Sequence, residues 1–453
     1  MSIVVVGLNH KTSPISLLEQ LAIPDERHAK ALAELMNSEH VTEGAILSTC
    51  NRVEVYASVT KFHPGAQGLR NFLSEFCHIA PEDFSDHLYT YFDEGAVSHL
   101  FRVAAGVDSL VVGESEILGQ VRKAVAFAEE EDTVGRNLRR AFSQALTVGK
   151  RARSETEISR NPVSVSSAAV ELARRAFAGR GAGSVEPQNG RGAGSAGPQN
   201  GRGGYSLEGK SVVIVGAGKM GRLAVQALQA AGATETIVVN RGEERAQSLA
   251  DAYGVKPRSL GELPEVLSGA DIVICSTMAP GAVLDHKTVR TAVEGRTRPD
   301  ALFIVDIAVP RDVDPSVAEI DGVVLRDIED LRALVENNMG GRVSEIAKVE
   351  SIVTTELERF ARWERAVEVA PAIARLVDQS EAVRVAELER FSSQLAGVSD
   401  EQRAAIEQLT RRIVNKILHA PLSKSKEIAS STQGHVYLEA LYELFELEDD
   451  LDS

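Results

Sequence analysis

Near the middle of the chain the run Ser211-Val212-Val213-Ile214-Val215 passes directly into Gly216-Ala217-Gly218-Lys219-Met220-Gly221, and from there into the helical spacing of Arg222 to Ala231. A short β-branched run of this kind predicts a strand buried on both faces, as in a parallel sheet covered by helices. The glycines then leave few alternatives. Gly216 suits a tight turn, Gly218 lets a pyrophosphate approach the backbone, and Gly221 allows the helix to pack against the strand. A Gly-x-Gly-x-x-Gly alone is weak; with a strand before it and a helix after, it predicts a Rossmann-type dinucleotide-binding domain, placed at 205–325. The next strand, Thr236-Ile237-Val238-Val239, ends in Asn240-Arg241, where an NAD enzyme sets an acid against the ribose hydroxyls. Arg241 suits a 2′-phosphate better, so NADP is favoured over NAD. Gly216, Ala217, Gly218, Lys219, Met220, Gly221, Asn240 and Arg241 are therefore the candidate cofactor contacts. Asp271 to Thr277 and Ala301 to Ala308 supply further parallel strands.

At 453 residues the chain is too long for one core, and ordinary domain sizes imply roughly two to four units. The tract Gly179 to Gly204 is a tandem near-repeat rich in Gly, Gln, Asn and Pro with almost nothing to bury, and is expected to be a disordered surface insertion. No apolar run approaches the roughly 18 to 20 residues needed to span a bilayer. The N-terminal Met1 to Gly7 reads as a first strand rather than a signal peptide, so a cytoplasmic protein is expected. Cys50, Cys77 and Cys275 are far apart and show no metal-ligand spacing, which argues against both a disulfide framework and a metal site. The net charge of −16 argues against a simple nucleic-acid binder. Two basic clusters stand out against it, Arg136 to Arg160 and Arg411 to Lys426, each open to reading as a solvated helix face or a polyanion contact.

Residues 1–160 predict a mixed α/β domain. Ile3 to Leu8 is a strand, Leu17 to Leu21 and Pro24 to Met36 are helical, and Asn9 to Pro14 is a polar loop. Ala45 to Leu47 and Val53 to Tyr56 are strands bracketing a turn that lifts out Cys50. A thiol near the Arg52 guanidinium has a neighbour that favours the thiolate, the form that attacks carbonyls. The other reading, a small buried thiol, stays open for Cys50, and the pattern alone favours a core residue for His99, which lies on a mostly apolar helix. Ala66 to His78 is a further helix, and Cys77 and Cys275 are expected to be structural. A polar loop is expected at Asp108 to Glu116, after which Glu114, Glu116 and Gln120 open a helix. The following helical stretch, 137–178, is expected to break at Asn161-Pro162, with 161–178 leading to the next domain. From 326 to 370 a long charged helix is expected, and 371–453 continues as amphipathic helices with too little apolar content to form a core alone. Packing against a second copy would supply one.

Together these segments resemble the glutamyl-tRNA reductase family. The resemblance is carried by Gly7 to Pro14, Ser48 to Tyr56, His99 to Val121, Gly216 to Gly221 and Val305 to Asp312. It covers nearly the whole chain and implies an α/β plus all-α architecture: an N-terminal catalytic domain, the NADP-binding domain, a long linking helix and a C-terminal helical dimerisation domain in a V-shaped homodimer. It implies that Cys50 attacks the ester of glutamyl-tRNA(Glu), that NADPH reduces the resulting thioester to glutamate 1-semialdehyde, and that His99 assists at the carbonyl. Thr49, Asn51, Arg52, Ser109, Glu114, Ser115, Glu116 and Gln120 would hold the glutamyl group, with Arg52 suited to its carboxylate. Many members have glutamine where this chain has Glu116. An aminomutase that receives the labile aldehyde is implied as a partner, as is tRNA contact by the basic clusters. Two other readings remain: a reductase of a free small acid, similar in its second domain to shikimate dehydrogenases, and an NADP-sensing scaffold in which Cys50 is inert.

Overall fold

The computed structural model describes residues 2–114, 116–159, 165–177, 206–277, 279, 281–296, 298–331, 343–429, 440 and 442–445. Ser115, Arg160, the expected break at Asn161-Pro162 and the Gly179 to Gly204 tract lie outside them. The chain divides into two compact units, Met1–Val353 and Thr354–Ser453.

The first unit opens with an antiparallel sheet of β1 (Ser2–Asn9), β2 (Val41–Thr49), β3 (Arg52–Val59) and β4 (Tyr89–Phe92), in the order β2-β3-β1-β4. Around it lie α1 (Ile15–Leu21), α2 (Asp25–Leu35), α3 (Phe62–Cys77), α4 (Pro81–Phe84), α5 (Glu94–Ala105), α6 (Glu116–Glu130) and α7 (Arg136–Glu155). Every residue of β3 is buried. On one face Val59 meets Gly65 of α3, and on the other Tyr56 packs edge-on to Phe142 of α7, with ring centroids 5.4 Å apart. The alternation Val53-Glu54-Val55-Tyr56 thus has no solvent side; its polar face is a second interior. Helix α3 starts four residues before the apolar spacing does, since Pro64 is tolerated in a first turn.

The expected polar loop after Asp108 is instead an interior one. Ser109, Leu110, Val111 and Val112 are buried, and Leu110 and Val111 belong to the core of the dinucleotide domain. Three apolar residues in a row carry no periodicity that could show this.

After α8 (Val165–Ala176) come β5 (Ser211–Val215), α9 (Lys219–Ala230), β6 (Glu235–Asn240), α10 (Glu243–Tyr253), β7 (Lys256–Ser259), α11 (Leu263–Ser268), β8 (Ile272–Cys275), α12 (His286–Glu294), β9 (Leu302–Asp306) and β10 (Val323–Arg326). All neighbouring strands are parallel, in the order β10-β9-β8-β5-β6-β7. Within β5, Val212 and Ile214 enter one core while Val213 and Val215 enter another, so both faces are covered. The strand order reverses between β5 and β8, which opens a crevice at the carboxyl ends of those strands.

Helix α13 (Val343–Arg390) is 48 residues long and α14 (Asp400–Ala429) follows it. The expected division at residue 370 is not a helix end. Pro371 lies inside α13, where Ala372 and Leu376 are buried with Leu418 of α14. That packing outweighs the cost of an interior proline, about 3 kcal/mol. The second unit leaves Leu409 59%, Ile413 49% and Ile417 67% exposed, an apolar stripe at helical spacing.

Candidate active site

Thr49 pairs with Arg52 at the end of the β2–β3 ladder, leaving Cys50 and Asn51 as a two-residue turn. The turn is pinned from several sides. The Asn51 N–H donates to Thr49 Oγ1 (3.2 Å), the His10 N–H donates to the Asn51 carbonyl (2.9 Å), and Asn51 Nδ2 donates to Cys50 Sγ (3.3 Å). Part of the purpose of the Asn9 to Pro14 loop is therefore to brace the cysteine turn.

Beneath the turn lies Glu54, fully buried. Its Oε1 accepts from Arg52 Nη1 (2.7 Å) and Tyr89 OH (2.5 Å) and meets His99 Nε2 at 2.7 Å, while Oε2 accepts from Tyr56 OH (2.7 Å). Burial alone would raise its pKa; the Arg52 charge, His99 and the Tyr89 hydroxyl outweigh that and hold Glu54 well below the usual carboxylate range. The His99 ring packs beside Tyr89 and Tyr91, with centroids 5.2 and 5.0 Å away. It is thus both a buried histidine and an oriented one.

Arg52 is only 1% exposed. Its Nη2 donates to the Asp108 carbonyl (2.6 Å) and Oδ2 (3.2 Å), and Lys11 Nζ pairs with the same carboxylate. Arg52 does favour the Cys50 thiolate, as expected, but its pull is outweighed. The thiol is pushed up to about 12, first by burial and then by the charges of Glu114 and Glu116, against a weaker pull from Arg52. The guanidinium charge is largely spent on Glu54 and Asp108.

The Cys50 field also locates the acids. Glu114 is itself pushed up to about 7 by burial and by Glu116, with Ser109, Arg52 and Lys219 pulling the other way. Glu116 opens α6, and Gln120, half-buried, follows one turn later. The loop before α6 is locked in place. Arg153 of α7 donates through Nη1 to the carbonyls of Ala104 (3.2 Å) and Gly149 (2.7 Å) and through Nη2 to that of Glu114 (3.0 Å). Gly113 has a φ of +81°, and a Cβ there would stand 2.0 Å from the Ile158 carbonyl oxygen.

In the dinucleotide domain the three glycines divide their work as the motif predicts. Gly216 has a φ of +111° and donates its N–H to the Val239 carbonyl (2.8 Å). A Cβ on Gly221 would stand 2.0 Å from the Gly216 carbonyl oxygen, whereas one on Gly218 would meet nothing within 4 Å. The open position at Gly218, beside the start of α9, fits a pyrophosphate. Asn240 accepts from the Ala217 N–H (3.2 Å) and donates to the Gly242 carbonyl (2.9 Å), so it shapes the loop. Arg241 is exposed just beyond β6, and the Met220 carbonyl accepts from Ser166 of α8 (3.0 Å). Lys219 Nζ reaches Glu116 Oε1 at 3.4 Å, so the glycine loop and the acids around Cys50 face one another.

The Val305 to Asp312 segment runs on from the carboxyl end of β9. Asp306 accepts from the N–H groups of Ala308 (3.0 Å) and Val313 (2.9 Å), Asp312 accepts from that of Thr277 (2.6 Å), and Arg311 donates from its backbone to Glu19 of α1 (2.8 Å). Burial pushes Asp306 up to about 7. Cys275 is fully buried, as expected, while Cys77 is half-buried. Glu54, Tyr89 and Asp108 were missed as site residues. For Glu54 one signal was available, a lone acid inside a strand otherwise rich in β-branched and aromatic residues.

A parallel doubly wound sheet with a glycine turn at its switch point, facing a cysteine on an α/β domain, defines a Rossmann-type oxidoreductase. A family model for the N-terminal domain of glutamyl-tRNA(Glu) reductase matches residues 6–156, one for shikimate/quinate 5-dehydrogenase matches 200–334, and one for the dimerisation domain of glutamyl-tRNA(Glu) reductase matches 348–447. Glutamyl-tRNA reductase of Paenibacillus macerans is 38% identical over 454 residues, covering 100% of this chain and 97% of that one. That of Salinispora arenicola is 40% identical over 450 residues, covering 99% and 92%. A solved glutamyl-tRNA reductase from Methanopyrus kandleri is 32% identical, with a TM-score of 0.48, covering 98% of this chain and 99% of that one. The chain belongs to the glutamyl-tRNA reductase family and is an oxidoreductase of tetrapyrrole biosynthesis. The shikimate dehydrogenase likeness belongs to one domain of three. No helix among the described residues is long and apolar enough to cross a membrane.

Proposed function

We propose that the chain reduces glutamyl-tRNA(Glu) to glutamate 1-semialdehyde with NADPH through a thioester at Cys50, the first step of 5-aminolevulinate, porphyrin and haem formation from glutamate. The observation that carries this reading is the approach of Lys219, in the glycine loop, to Glu116, whose charge bears directly on Cys50. A cofactor seated on that loop and an acyl group on that thiol would share one site. Cys50 Sγ attacks the ester carbonyl, a C–S bond forms, the ester C–O bond breaks, and the thiol proton leaves with the 3′ hydroxyl of the tRNA.

The raised thiol pKa fits a substrate-assisted step. An α-ammonium paired with Glu114 and Glu116 would neutralise the two charges that, after burial, oppose ionisation, and so favour the thiolate when the acyl group has arrived. Ser109, Thr49, Asn51 and Gln120 would complete the pocket for the glutamyl group. A substrate carboxylate reaching Arg52 would share it with Asp108. Glu54 fixes the His99 ring, which assists at the carbonyl. The chemistry that bound NADPH supplies is a hydride to the thioester carbon. Gly216 to Gly221 and Asn240 would hold the pyrophosphate, and Arg241 the 2′-phosphate.

The exposed stripe of Leu409, Ile413 and Ile417 supports a homodimer through the C-terminal helices, consistent with the matched dimerisation domain. The lability of the aldehyde supports direct transfer to glutamate-1-semialdehyde aminomutase, and the supply of charged tRNA supports a cytoplasmic setting. The test is incubation with labelled glutamyl-tRNA in the absence of NADPH, followed by mass spectrometry. A glutamyl adduct on Cys50 that yields semialdehyde when NADPH is added is the expected result. If no adduct forms and the tRNA stays charged with NADPH present, the proposal fails.

A further inference from the structure

Helix α1 is short, and its two faces belong to different domains. Leu17, Leu18 and Leu21 are buried where α1 packs on α3 and β3 of the catalytic domain. Ile15 and Glu19, one turn apart on the opposite face, serve the dinucleotide domain instead. Ile15 is buried in the same core as Ile307, which follows β9. The Glu19 carboxylate is held by Arg311: the backbone N–H (2.8 Å) and Nε (3.2 Å) donate to Oε1, and Nε lies 3.4 Å from Oε2. These side chains are 29% and 18% exposed for Arg311 and Glu19, whereas Lys219, which reaches Glu116 at 3.4 Å, is 65% exposed. A carboxylate that grips a guanidinium and a backbone N–H together fixes a position more tightly than one flexible ammonium does.

Each member of the pair is tied onward to a reacting centre. Helix α1 is flanked by contacts to the cysteine hairpin. Before it the His10 N–H donates to the Asn51 carbonyl (2.9 Å), and after it the Ile23 N–H donates to the hydroxyl of Ser48 (2.9 Å), close to Cys50 in the same turn. On the other side Asp312, next to Arg311, accepts from the N–H (2.6 Å) and from the hydroxyl of Thr277. The preceding residue, Ser276, donates its N–H to the Val215 carbonyl (2.9 Å), and a Cβ on Gly216 would stand 2.9 Å from the Ser276 carbonyl oxygen. Short contacts therefore run without a gap from the cysteine hairpin, through Glu19 and Arg311, to the glycine turn.

We infer that Glu19 and Arg311 are positioning residues for hydride transfer: their pair sets where the dinucleotide domain holds its nicotinamide relative to an acyl group on Cys50. Both act through α1 and the segment after β9, away from the reacting atoms. Their role rests on the function proposed above and adds to it what fixes the distance between the two reactants. Hydride transfer is steep in distance and angle, so a shift of about 1 Å between the domains is enough to slow it by as much as ~100-fold. Attack of the thiol on an ester uses the catalytic domain and is indifferent to that shift.

The test separates the two half-reactions in the full-length protein. Labelled glutamyl-tRNA first forms the Cys50 adduct without NADPH, and the semialdehyde that appears on adding NADPH is then timed in a single turnover. Wild type is compared with Glu19→Ala, Glu19→Gln, Arg311→Ala and the double variant Glu19→Ala/Arg311→Ala. We expect Glu19→Ala to slow the hydride step about 10-fold or more. Glu19→Gln, which keeps an acceptor for the backbone N–H, should slow it less, and the double variant should be no slower than Glu19→Ala, because the two residues act as one pair. Adduct formation and the Kd for NADPH should stay near wild type throughout. An unchanged hydride step in Glu19→Ala overturns the assignment, as do additive losses in the double variant. So does an equal slowing of adduct formation, which would mean that α1 only braces the hairpin. A second measurement is independent of turnover: energy transfer from the fluorescence of bound NADPH to an acceptor dye on Cys50, in a Cys77→Ala background. Lower transfer on adding Glu19→Ala upholds the pair and unchanged transfer overturns it, even if wild type forms no adduct and the reductase reading falls.

Discussion

The glycine loop and the cysteine turn face one another, yet they are assembled in opposite ways. In the loop the expected contacts lie between Gly216 and Gly221 or at the end of the next strand, and the backbone carries the fit. Around Cys50 a single carboxylate, Glu54, gathers donors 2, 35 and 45 positions away in sequence, all of them buried or nearly so. The loop is a local device that a mutation can spoil without unfolding the domain. The network beneath Cys50 is held together by tertiary contacts, so its chemistry and its stability cannot be separated cleanly.

Substitutions should sharpen that contrast. The largest effect belongs to Cys50→Ser, expected to lower turnover by more than ~10³-fold with no glutamyl adduct while NADPH binding, followed by fluorescence, stays near wild type. Loss of NADPH binding in that variant would mean that the two sites are not independent.

Next is Glu54→Gln, which leaves the buried Arg52 charge short of a partner and should cost about 3–5 kcal/mol in denaturant unfolding. Because Glu54 is held below its ordinary pKa, its contribution is present above the unfolded value of about 4.3 and is lost as pH falls below it. The wild-type and variant stabilities should therefore converge in acid.

In the loop the pair Gly221→Ala and Gly218→Ala distinguishes packing from approach. The first places a methyl against the Gly216 carbonyl and should lower both the thermal midpoint and dinucleotide affinity. The second meets open space in the protein alone, so it should leave the midpoint unchanged while weakening dinucleotide binding about 10-fold or more. Equal losses of stability in both would contradict the geometry.

Smaller again is Glu114→Gln. Removing a charge that raises the thiol pKa should speed alkylation of Cys50 by iodoacetamide at pH 8 by several-fold. Glu114 itself is raised to about 7, so the folded protein holds its proton more tightly than the unfolded chain. Wild-type stability should therefore fall as pH rises from about 4.3 toward 7, a slope that the variant should lose. The mildest expected change is Arg241→Ala, a roughly 3-fold drop in preference for NADPH over NADH in kcat/KM.

Much of the fold was legible because its signals are short-range. The β5 run, the glycine turn and the β2–β3 turn around Cys50 each need only consecutive residues, and the long helices need only periodicity. What could not be read depends on burial. Val53-Glu54-Val55-Tyr56 has the alternation of a half-exposed strand, but helices cover both faces. Arg153 has the spacing of a surface cation, but its guanidinium turns in to backbone carbonyls. Arg52 sits two residues from Cys50 in sequence, but its charge goes to Glu54 and Asp108.

By itself the sequence determined the parallel sheet with its dinucleotide turn, the thiol on a hairpin, the family and the helical C-terminal region, since hydrophobic period and glycine stereochemistry act over a few residues. Only the tertiary structure decided which charges surround the thiol. It showed that Glu114 and Glu116 oppose Cys50 ionisation, that Glu54 holds His99, and that Lys219 reaches across to Glu116. Electrostatic energy depends on distance and desolvation in three dimensions, and residues far apart in the chain acquire both only when it folds.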